Sequence, residues 1–263
     1  MESGPVLLTG AGGRIGSVLR AAWRGSWTMR LVDVRDLAPQ AAGEELLQLD
    51  LADFPGVRRA MAGVDVVVHL AAIPGEDSFS RLVEANVFGT YNVFEAARQA
   101  GVRRVVFAST NHVTGFYPRR ERVGPPDPVR PDSLYAVTKV FGEALGRLYV
   151  DKWGLEVVCI RIGSFARRPT TARALGTWLS ERDAVQLFTK TITAPAVGFL
   201  VVYGASRSRW SSWENPGAAL LGYTPLDDVE DAAAEEIKQE AEEGGDEPQG
   251  GEFATRDYWI SPP

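Results

Sequence analysis

A tyrosine and a lysine lie one helical turn apart, at Tyr135 and Lys139. Residues four apart on an α-helix share a face, so both side chains can reach one cleft. An ordinary tyrosine is only about 0.1% ionised at neutral pH, which costs a general base roughly 4 kcal/mol. A neighbouring ammonium group favours the phenolate, and a positioned base accelerates proton transfer by about 100- to 10,000-fold. We therefore predict that Tyr135 is a general base whose pKa Lys139 lowers.

A third candidate, Thr110, ends an apolar run that is typical of a β-strand. Open α/β sheets bind ligands at the carboxyl ends of their strands, where this hydroxyl can hydrogen-bond a reacting oxygen. A Tyr-x-x-x-Lys pair alone is common on surface helices and predicts little. Its weight comes from Thr110 before it in the chain and from the glycine turn described next.

A glycine-rich turn occupies residues 9–16, between the first predicted strand and the first predicted helix. Glycine allows a positive φ and lets the backbone approach a pyrophosphate, which then lies on the N–H groups of the helix N-terminus. The cofactor-binding residues predicted in this turn are Gly10, Gly13, Arg14, Ile15 and Gly16. The turn predicts a dinucleotide site.

An aspartate, Asp33, ends the second predicted strand, about twenty residues beyond the turn. A carboxylate there accepts hydrogen bonds from the adenosine ribose and repels the 2′-phosphate of NADP. The predicted cofactor is therefore NAD, and Arg35 nearby is the residue that can soften this preference. Asp50 and Leu51, after the third strand, are placed to meet the adenine ring; for Asp50, capping of a helix is the alternative role.

Short β-branched runs alternate with helix-length segments along most of the chain. The runs predicted as strands are residues 6–9, 29–34, 46–49, 64–70, 104–109 and 155–162. Continuous apolar runs are typical of strands covered on both faces, and the helical spacers supply the crossovers of a parallel sheet. The pattern predicts the α/β class, with a doubly wound parallel sheet of the Rossmann type.

Beyond residue 169 the pattern loosens into two short helical stretches, a strand near residues 199–203 and a tryptophan-rich segment at residues 210–213. We predict that residues 1–165 form the dinucleotide-binding core with the Tyr/Lys pair. Residues 166–263 are predicted as a small C-terminal substrate cap packed on this core as one body. Within it, residues 227–247 are rich in Glu, Asp and Ala, which predicts a solvated helix followed by a loose tail.

Charge and composition exclude several classes of protein. A formal net charge of -6 gives no electrostatic indication of nucleic-acid binding, and an anionic substrate would need a local cationic pocket. We find no stretch of about twenty apolar residues and no signal-like leader, so we expect a cytoplasmic protein without a membrane partner. The single cysteine, Cys159, lies in an apolar run and excludes both a disulfide framework and a cysteine-based zinc site.

Taken together, these motifs resemble the extended short-chain dehydrogenase/reductase superfamily. The resemblance rests on the glycine turn, the Tyr/Lys pair, residues 69–72 (His-Leu-Ala-Ala) and Asn86 with Gly89, within the first 165 residues. Residues 107–112, 130–135, 161–164 and 202–206 are similar, more narrowly, to the uronate dehydrogenases. This narrower resemblance extends over nearly the whole chain.

The resemblance implies NAD-dependent oxidation of D-galacturonate or D-glucuronate at C1 to an aldarolactone, without a metal ion. The substrate-binding residues that it implies are Thr110, Asn111, His112, Tyr135, Ser164 and Arg173, and the further cofactor-binding residues are Leu70, Ala71, Ala72, Asn86, Tyr135, Lys139 and Ile162. Ser164 and Arg173 would bind the carboxylate. A guanidinium suits that role because it grips a carboxylate with two parallel hydrogen bonds, and a surface arginine is the alternative.

Some residues keep two interpretations, and two depart from the family. His112 either holds a sugar hydroxyl or is structural, and Asn86 either positions the lysine through a water or caps a turn; His69 is expected to be structural. Thr110 stands where the family usually has serine, which keeps the hydroxyl. Pro74 stands where a substrate-binding hydroxyl is often found, so the preference between the two uronates stays open.

Two other functions remain open. A nucleotide-sugar epimerase or dehydratase uses the same Tyr/Lys pair and retains its NAD, but such enzymes generally need a larger C-terminal region than follows Ser164. A non-catalytic NAD-binding protein is the second, and the intact pair with Thr110 argues against it. Release of NADH into solution discriminates all three. Related enzymes commonly form homo-oligomers, which we expect here as well.

Overall fold

A seven-stranded parallel sheet forms the centre of the molecule. We describe residues 4–37, 39–243 and 245–258 of a computed structural model. The strands are β1 (Val6–Thr9), β2 (Met29–Asp33), β3 (Glu44–Gln48), β4 (Val66–His69), β5 (Arg104–Thr110), β6 (Glu156–Ile162), β7 (Ser164–Phe165), β8 (Trp178–Leu179) and β9 (Phe199–Gly204). Their order in the main sheet is β3-β2-β1-β4-β5-β6-β9, while β7 and β8 pair separately. The predicted doubly wound sheet is confirmed.

Helices cover both faces of this sheet. The α-helices are α1 (Arg14–Trp23), α2 (Phe54–Ala60), α3 (Phe79–Leu82), α4 (Gly89–Ala100), α5 (Leu134–Trp153), α6 (Ala172–Thr177), α7 (Glu181–Thr193), α8 (Pro216–Leu220), α9 (Val229–Ala232) and α10 (Glu235–Glu243). A π-helical turn, Val83–Phe88, joins α3 to α4, and 3-10 turns span Asn111–Thr114 and Gly251–Ala254. Across the described parts of the chain, no helix is long and apolar enough to cross a bilayer.

Successive side chains of one strand enter different cores. On β1, Leu8 packs with Leu19 of α1 and Phe188 of α7, whereas Leu7 packs on the opposite face with Phe94 of α4. Strand side chains alternate between the two faces of a sheet, so a strand covered on both faces is apolar at nearly every position. The continuous apolar runs seen in the sequence have this cause.

The strand order reverses between β1 and β4, which lie side by side in parallel with Thr9 opposite His69. Ligands of doubly wound folds bind in the crevice at such a switch point, outside the carboxyl ends of the strands. The glycine turn follows β1 directly, and the loop after β4 forms the other wall. The fold therefore places the predicted dinucleotide turn where the topology opens a crevice.

The predicted strands agree with the structure to within two residues at every end, and β7 and β8 were not predicted. The strand predicted near residues 199–203 is β9, which pairs in parallel with β6 and extends the main sheet. The region after residue 165 thus adds a strand to the central sheet and also supplies segments that lie over its carboxyl edge.

The predicted loose tail is wrong for residues 245–258, which we call the covering segment. Gln249 is 5% exposed, accepts a hydrogen bond from the Trp213 indole at 2.8 Å and donates to the Pro118 and Glu121 carbonyl oxygens. The abundance of Glu, Asp and Ala in residues 227–247 predicted solvation, but one glutamine with several partners and the Phe253 ring anchor the backbone that follows. Helix α10 itself has no buried residue, as the prediction of a solvated helix requires.

Candidate active site

The glycine turn leaves the N-terminus of α1 open. Gly10 has φ +69°, and a side chain at Gly16 would place Cβ only 2.2 Å from the Gly10 carbonyl oxygen. The N-cap of α1 is Gly13, with no side-chain cap and no acidic residue in the first helical turn. Backbone N–H groups at this end therefore remain available to an anion, which is the donor set that a pyrophosphate needs.

Asp33 lies across this turn, at the carboxyl end of β2. Its carboxylate accepts hydrogen bonds from the Gly12 N–H at 2.9 Å and from the Arg35 N–H at 3.0 Å. Burial raises the pKa of Asp33, but the Arg35 side chain and the two backbone donors outweigh it, so the net pKa lies below its usual range. An ionised carboxylate fixed beside the turn fits a ribose diol and repels a phosphate at that position.

The other predicted cofactor residues line or support the crevice. Asp50 Oδ1 accepts from the Ala52 N–H at 2.9 Å and so closes a short turn; the N-cap of α2 is Asp53. Leu51 is buried and lies under Gly89.

Arg14 donates to the Phe165 carbonyl oxygen at 2.7 Å, which ties the glycine turn to β7. The part-buried residues that complete the walls are Ile15, Leu70, Ala71, Ala72 and Ile162.

Asn86 and His69 hold the loop after β4 in place. The Asn86 amide accepts from the Ile73 N–H at 2.8 Å and donates to the Thr138 hydroxyl at 3.0 Å, one residue before Lys139. His69 contacts a threonine hydroxyl through each ring nitrogen, and burial with the Lys139 charge lowers its pKa to about 3. Asn86 thus clamps a loop to α5 rather than contacting the lysine, and His69 is a neutral packing residue.

Thr110, Tyr135 and Lys139 come together at the carboxyl end of β5. All three are at most 8% exposed, and the Thr110 side chain hydrogen-bonds Tyr135. Ser133 is the N-cap of α5, and its hydroxyl accepts from the Ala136 N–H at 3.1 Å, so Tyr135 lies in the first helical turn. Lys139 follows one turn later and donates to the Ala108 carbonyl oxygen at 2.9 Å.

The pKa relation between the pair differs from the prediction. Burial raises the pKa of Tyr135 to about 12, the Thr110 hydrogen bond lowers it, and the Asp132 carboxylate raises it. Burial also lowers the pKa of Lys139 to about 7, with its Nζ 5.8 Å from the centre of the Tyr135 ring. The predicted lowering of the Tyr135 pKa by Lys139 is therefore wrong for these side chains by themselves, because desolvation weakens the ammonium form.

Glu76 is a residue of this site that sequence reasoning missed. From the loop after β4, its carboxylate accepts hydrogen bonds from the Leu134 N–H at 3.1 Å and from the Tyr135 N–H at 2.9 Å. A negative charge at a helix N-terminus is favourable because it satisfies backbone donors and complements the helix dipole. The partner is 58 residues away in sequence, so no local motif marks the contact.

Arg173, at the start of α6, reaches the same end of the sheet as Thr110. Its Nε donates to the Gln249 carbonyl oxygen at 2.7 Å and its Nη1 to the Ser164 hydroxyl at 3.3 Å. With the Asn111 amide oriented to satisfy both of its groups, the amide oxygen accepts from Arg173 Nη2 at 2.9 Å and the nitrogen donates to the Ile162 carbonyl oxygen. Burial lowers the pKa of Arg173, which the charges of Asp132 and Glu252 oppose.

His112 completes the substrate side. Its Nδ1 lies 2.7 Å from the Asp132 carboxylate, and its ring lies edge-on to Tyr135 and 4.2 Å from the Phe253 ring of the covering segment. Asp132 and Phe253 were not predicted as site residues. Pro74, on the loop that carries Glu76, is exposed and offers no hydroxyl.

The consecutive residues Thr110, Asn111 and His112 therefore join two chemical functions. Thr110 contacts the tyrosine, which can take a proton from a hydroxyl, and Asn111 contacts Arg173, which can bind an anionic group. The open helix N-terminus and Asp33 form a dinucleotide cradle beside them. The arrangement suits hydride transfer from a small, hydroxylated anion to a nicotinamide cofactor.

Comparison with known proteins agrees with this geometry. Residues 6–169 match the model of the NAD dependent epimerase/dehydratase family. The chain is 42% identical over 256 residues to a uronate dehydrogenase of Pseudomonas putida, covering 95% of each chain. It is 44% identical over 226 residues to one of Agrobacterium fabrum, covering 86% of this chain and 85% of the relative.

Solved structures point the same way. The crystal structure of uronate dehydrogenase from Agrobacterium tumefaciens superposes with a TM-score of 0.89 at 39% identity, covering 99% of this chain and 100% of that one. A mutant of that enzyme complexed with NAD gives a TM-score of 0.87 at 40% identity, over 96% of this chain and 97% of that one. The protein therefore belongs to the NAD dependent epimerase/dehydratase family and, within it, to the uronate dehydrogenases.

Proposed function

We propose that this protein oxidises a hexuronate, D-glucuronate or D-galacturonate, at C1 to the aldarolactone, with NAD as the oxidant. One observation carries the choice of substrate. Among the described residues, Arg173 forms no ion pair although it is partly buried, and its partners are a carbonyl, a hydroxyl and an amide. A partly buried guanidinium whose hydrogen-bond partners are all neutral can take a carboxylate.

The hydrogen-bond inventory of Arg173 supports this. A guanidinium has five N–H donors. Three of them are used, by Gln249, Ser164 and Asn111, which leaves two, one on each terminal nitrogen. Two parallel donors are what a bidentate carboxylate requires. The C6 carboxylate of a uronate would lie there, while C1, which the ring oxygen joins to C5, would reach Thr110 and Tyr135.

NAD fits the cradle of the glycine turn, Asp33 and the walls formed by Leu70, Ala71 and Ala72. Bound NAD supplies a nicotinamide ring that accepts hydride and whose positive charge favours a nearby phenolate. Asp33 would hold the adenosine ribose, and Lys139 the ribose next to the nicotinamide. The choice of NAD over NADP rests on the fixed carboxylate of Asp33.

Tyr135 then takes the C1 hydroxyl proton while hydride leaves C1. With a pKa of about 12, this phenol lies five units above neutrality, so forming the phenolate at pH 7 costs about 7 kcal/mol. The Thr110 hydrogen bond offsets part of that cost, and the positive charge of the nicotinamide in bound NAD would supply much of the rest. Thr110 also holds the reacting oxygen, and Asn111 and His112 hold ring hydroxyls.

The test is NADH absorbance during incubation of purified protein with NAD and, separately, D-glucuronate, D-galacturonate, their neutral parent sugars and buffer. We expect steady NADH release with the uronates only. Tyr135→Phe should lower kcat by about 100- to 10,000-fold. Near-normal turnover of that variant would remove Tyr135 as the base. No NADH from any uronate would refute the function, and NAD that stays bound through turnover of a nucleotide sugar would point to an epimerase.

A homo-oligomer remains a prediction, with one supporting observation. Tyr91 on α4 and Val137, Leu148 and Trp153 on α5 are each more than 40% exposed. Burying such side chains in a subunit interface would be favourable. Sedimentation velocity of the purified protein would give the mass, and a monomer at micromolar concentration would contradict this expectation. The cytoplasmic location likewise remains a prediction.

A further inference from the structure

His112 and Asp132 form a hydrogen-bonded pair behind the substrate side of the site. The Asp132 side chain has no exposed surface, and its Oδ2 lies 2.7 Å from His112 Nδ1. An ionised carboxylate can only accept hydrogen bonds, so Nδ1 must donate. Its lone pair then lies on Nε2 in the neutral ring. Nε2 makes no hydrogen bond within the described parts of the chain.

The carboxylate cannot easily turn away from the ring. A Cβ at Gly115 would lie 1.8 Å from Asp132 Oδ2, and a Cβ at Gly250 would lie 1.9 Å from it, so the carboxylate occupies a slot that only two glycines leave open. The Ser133 hydroxyl holds the other oxygen, Oδ1, at 3.0 Å. Gly250 belongs to the covering segment, so that segment forms one wall of the slot.

We propose that Asp132 is a positioning residue that keeps the proton of His112 on Nδ1, so that Nε2 accepts a hydrogen bond from one ring hydroxyl of the substrate. This inference rests on the proposed function. The ring contacts support it, because Phe253 packs against the His112 ring with the ring centres 4.2 Å apart and Tyr135 lies edge-on to it, which holds the imidazole beside the proposed base. A hydroxyl that donates to Nε2 keeps its own lone pairs for other donors of the site.

The charge of Asp132 is unfavourable for the proposed base, and a role in positioning His112 would explain why a carboxylate lies there. Its negative charge raises the pKa of Tyr135 and therefore opposes formation of the phenolate. The same charge favours the cationic form of Arg173. On this inference, the buried carboxylate compensates for hindering the proposed base by setting the donor and acceptor pattern that the sugar meets.

The protein has only two histidines, His69 and His112, which makes the tautomer measurable. Protein labelled with 15N-histidine gives two imidazole signal sets, and His112→Gln removes one of them and so assigns both. We expect the neutral His112 ring of the unmutated protein to carry its proton on Nδ1. If the neutral ring carries its proton on Nε2 instead, the proposal is overturned. This experiment needs no substitution at Asp132.

A second experiment uses Asp132→Asn, with the exposed Asp151→Asn as the matched control. Uronates in which one ring hydroxyl at a time is replaced by fluorine cannot donate at that carbon. At one carbon, we expect fluorine to raise KM roughly 10-fold or more in the unmutated and control proteins, and roughly twofold in Asp132→Asn. The same fluorine penalty in all three proteins would overturn the proposal, since a purely structural role would leave this selectivity intact.

The two experiments also separate this inference from the proposed function. If the unmutated protein oxidises no uronate, the function fails, whereas the 15N spectrum still reports the tautomer. If uronates are oxidised but the proton lies on Nε2, the function stands and the role of Asp132 is refuted. Should Asp132→Asn not fold, the spectrum of the unmutated protein decides alone.

Discussion

Two polar layers lie near the carboxyl ends of β5 and β6, one at the last residues of the strands and one beyond them, and each contains one arginine. The lower polar layer consists of Ser109, Glu143, Arg161 and Tyr203, and the upper polar layer consists of Asn111, Ser164, Arg173 and Gln249. In the lower layer, Glu143 accepts hydrogen bonds from Arg161 Nε at 3.0 Å and Nη2 at 2.9 Å. In the upper layer, the described partners of Arg173 are all neutral.

The surroundings move the pKa values of the two arginines in opposite directions. Burial opposes the charge of Arg161, but the Glu143 hydrogen bonds prevail and its net pKa is raised. For Arg173, burial prevails and the net pKa is lowered. The arginine of the lower layer is therefore paired with a carboxylate of the fold, whereas the arginine of the upper layer has no counter-charge within hydrogen-bond distance among the described residues. This contrast is the reason why we propose Arg173, and not Arg161, as the carboxylate site.

The largest effect should come from breaking the lower layer. Glu143→Gln leaves the Arg161 charge buried without its counter-charge, which typically costs about 3 to 5 kcal/mol. Thermal denaturation should show Tm falling by about 6 to 20 °C, at roughly 2 to 4 °C per kcal/mol for a chain of this size. The double variant Glu143→Leu with Arg161→Met should recover most of that loss. A Tm unchanged by Glu143→Gln would mean that the lower layer is not a structural ion pair.

The two layers also differ in how far the sequence predicts them. The glycine turn and Asp33 are recognisable because the turn is local and Asp33 lies at a fixed distance from it. The strands are recognisable because burial on both faces makes them continuously apolar. Arg173 was predicted only through a family resemblance, since nothing around it in the chain shows that it meets Asn111 and Gln249, 62 and 76 residues away.

Other site features have ordinary residue types and distant partners. Glu76 caps α5 from 58 residues away, and Asp132 meets Gly250 from the covering segment. The composition of this region predicted solvation, because a single anchoring glutamine hardly changes the average composition of a segment. The pKa of Tyr135 was mispredicted for a related reason, since spacing reveals a neighbouring lysine but not the burial that both side chains share.

A change in the upper layer should leave stability intact and remove recognition. Arg173→Met should lower kcat/KM for a uronate by about 100- to 1000-fold, or about 3 to 4 kcal/mol, because two charge-assisted hydrogen bonds are lost. Tm should hold or rise, since a desolvated guanidinium is replaced by an apolar group. Steady-state kinetics on uronates and neutral sugars would measure this, with the exposed Arg167→Met as control. Equal losses on both sugar classes would break the contrast between the layers.

Lys139 extends the comparison to a third buried cation, which also has no ion-pair partner among the described residues. Its pKa is about 7 in the folded protein and about 10.4 in an unfolded chain, so the unfolded state binds more protons between these values. Stability therefore rises with pH across that window, and the cost of burying the ammonium is complete only below about pH 7.

Lys139→Met should therefore stabilise the fold while reducing turnover. After allowing for the lost hydrogen bond to Ala108, we expect a gain of about 2 to 4 kcal/mol at pH 6 to 7, fading towards pH 10. Denaturant unfolding of both proteins at several pH values would give the difference. A gain that does not change with pH would show that Lys139 has the same pKa in the folded and unfolded states, so that burial does not destabilise its ammonium form, and would weaken the link between unpaired cations and function.

The smallest effects come from one chemical change made in each layer. Ser109 donates to the Glu143 carboxylate at 2.6 Å, whereas Ser164 accepts from Arg173 and lies 2.8 Å from the Thr177 hydroxyl. Ser109→Ala should cost about 1 kcal/mol of stability, or about 2 to 4 °C in Tm, with kcat/KM unchanged. Ser164→Ala should lower kcat/KM for uronates about fivefold with Tm unchanged, because Thr177 keeps its bond to the Arg173 carbonyl oxygen. If each variant changed both quantities equally, the layers would be one network, and the neutral surroundings of Arg173 would no longer mark it as the carboxylate site.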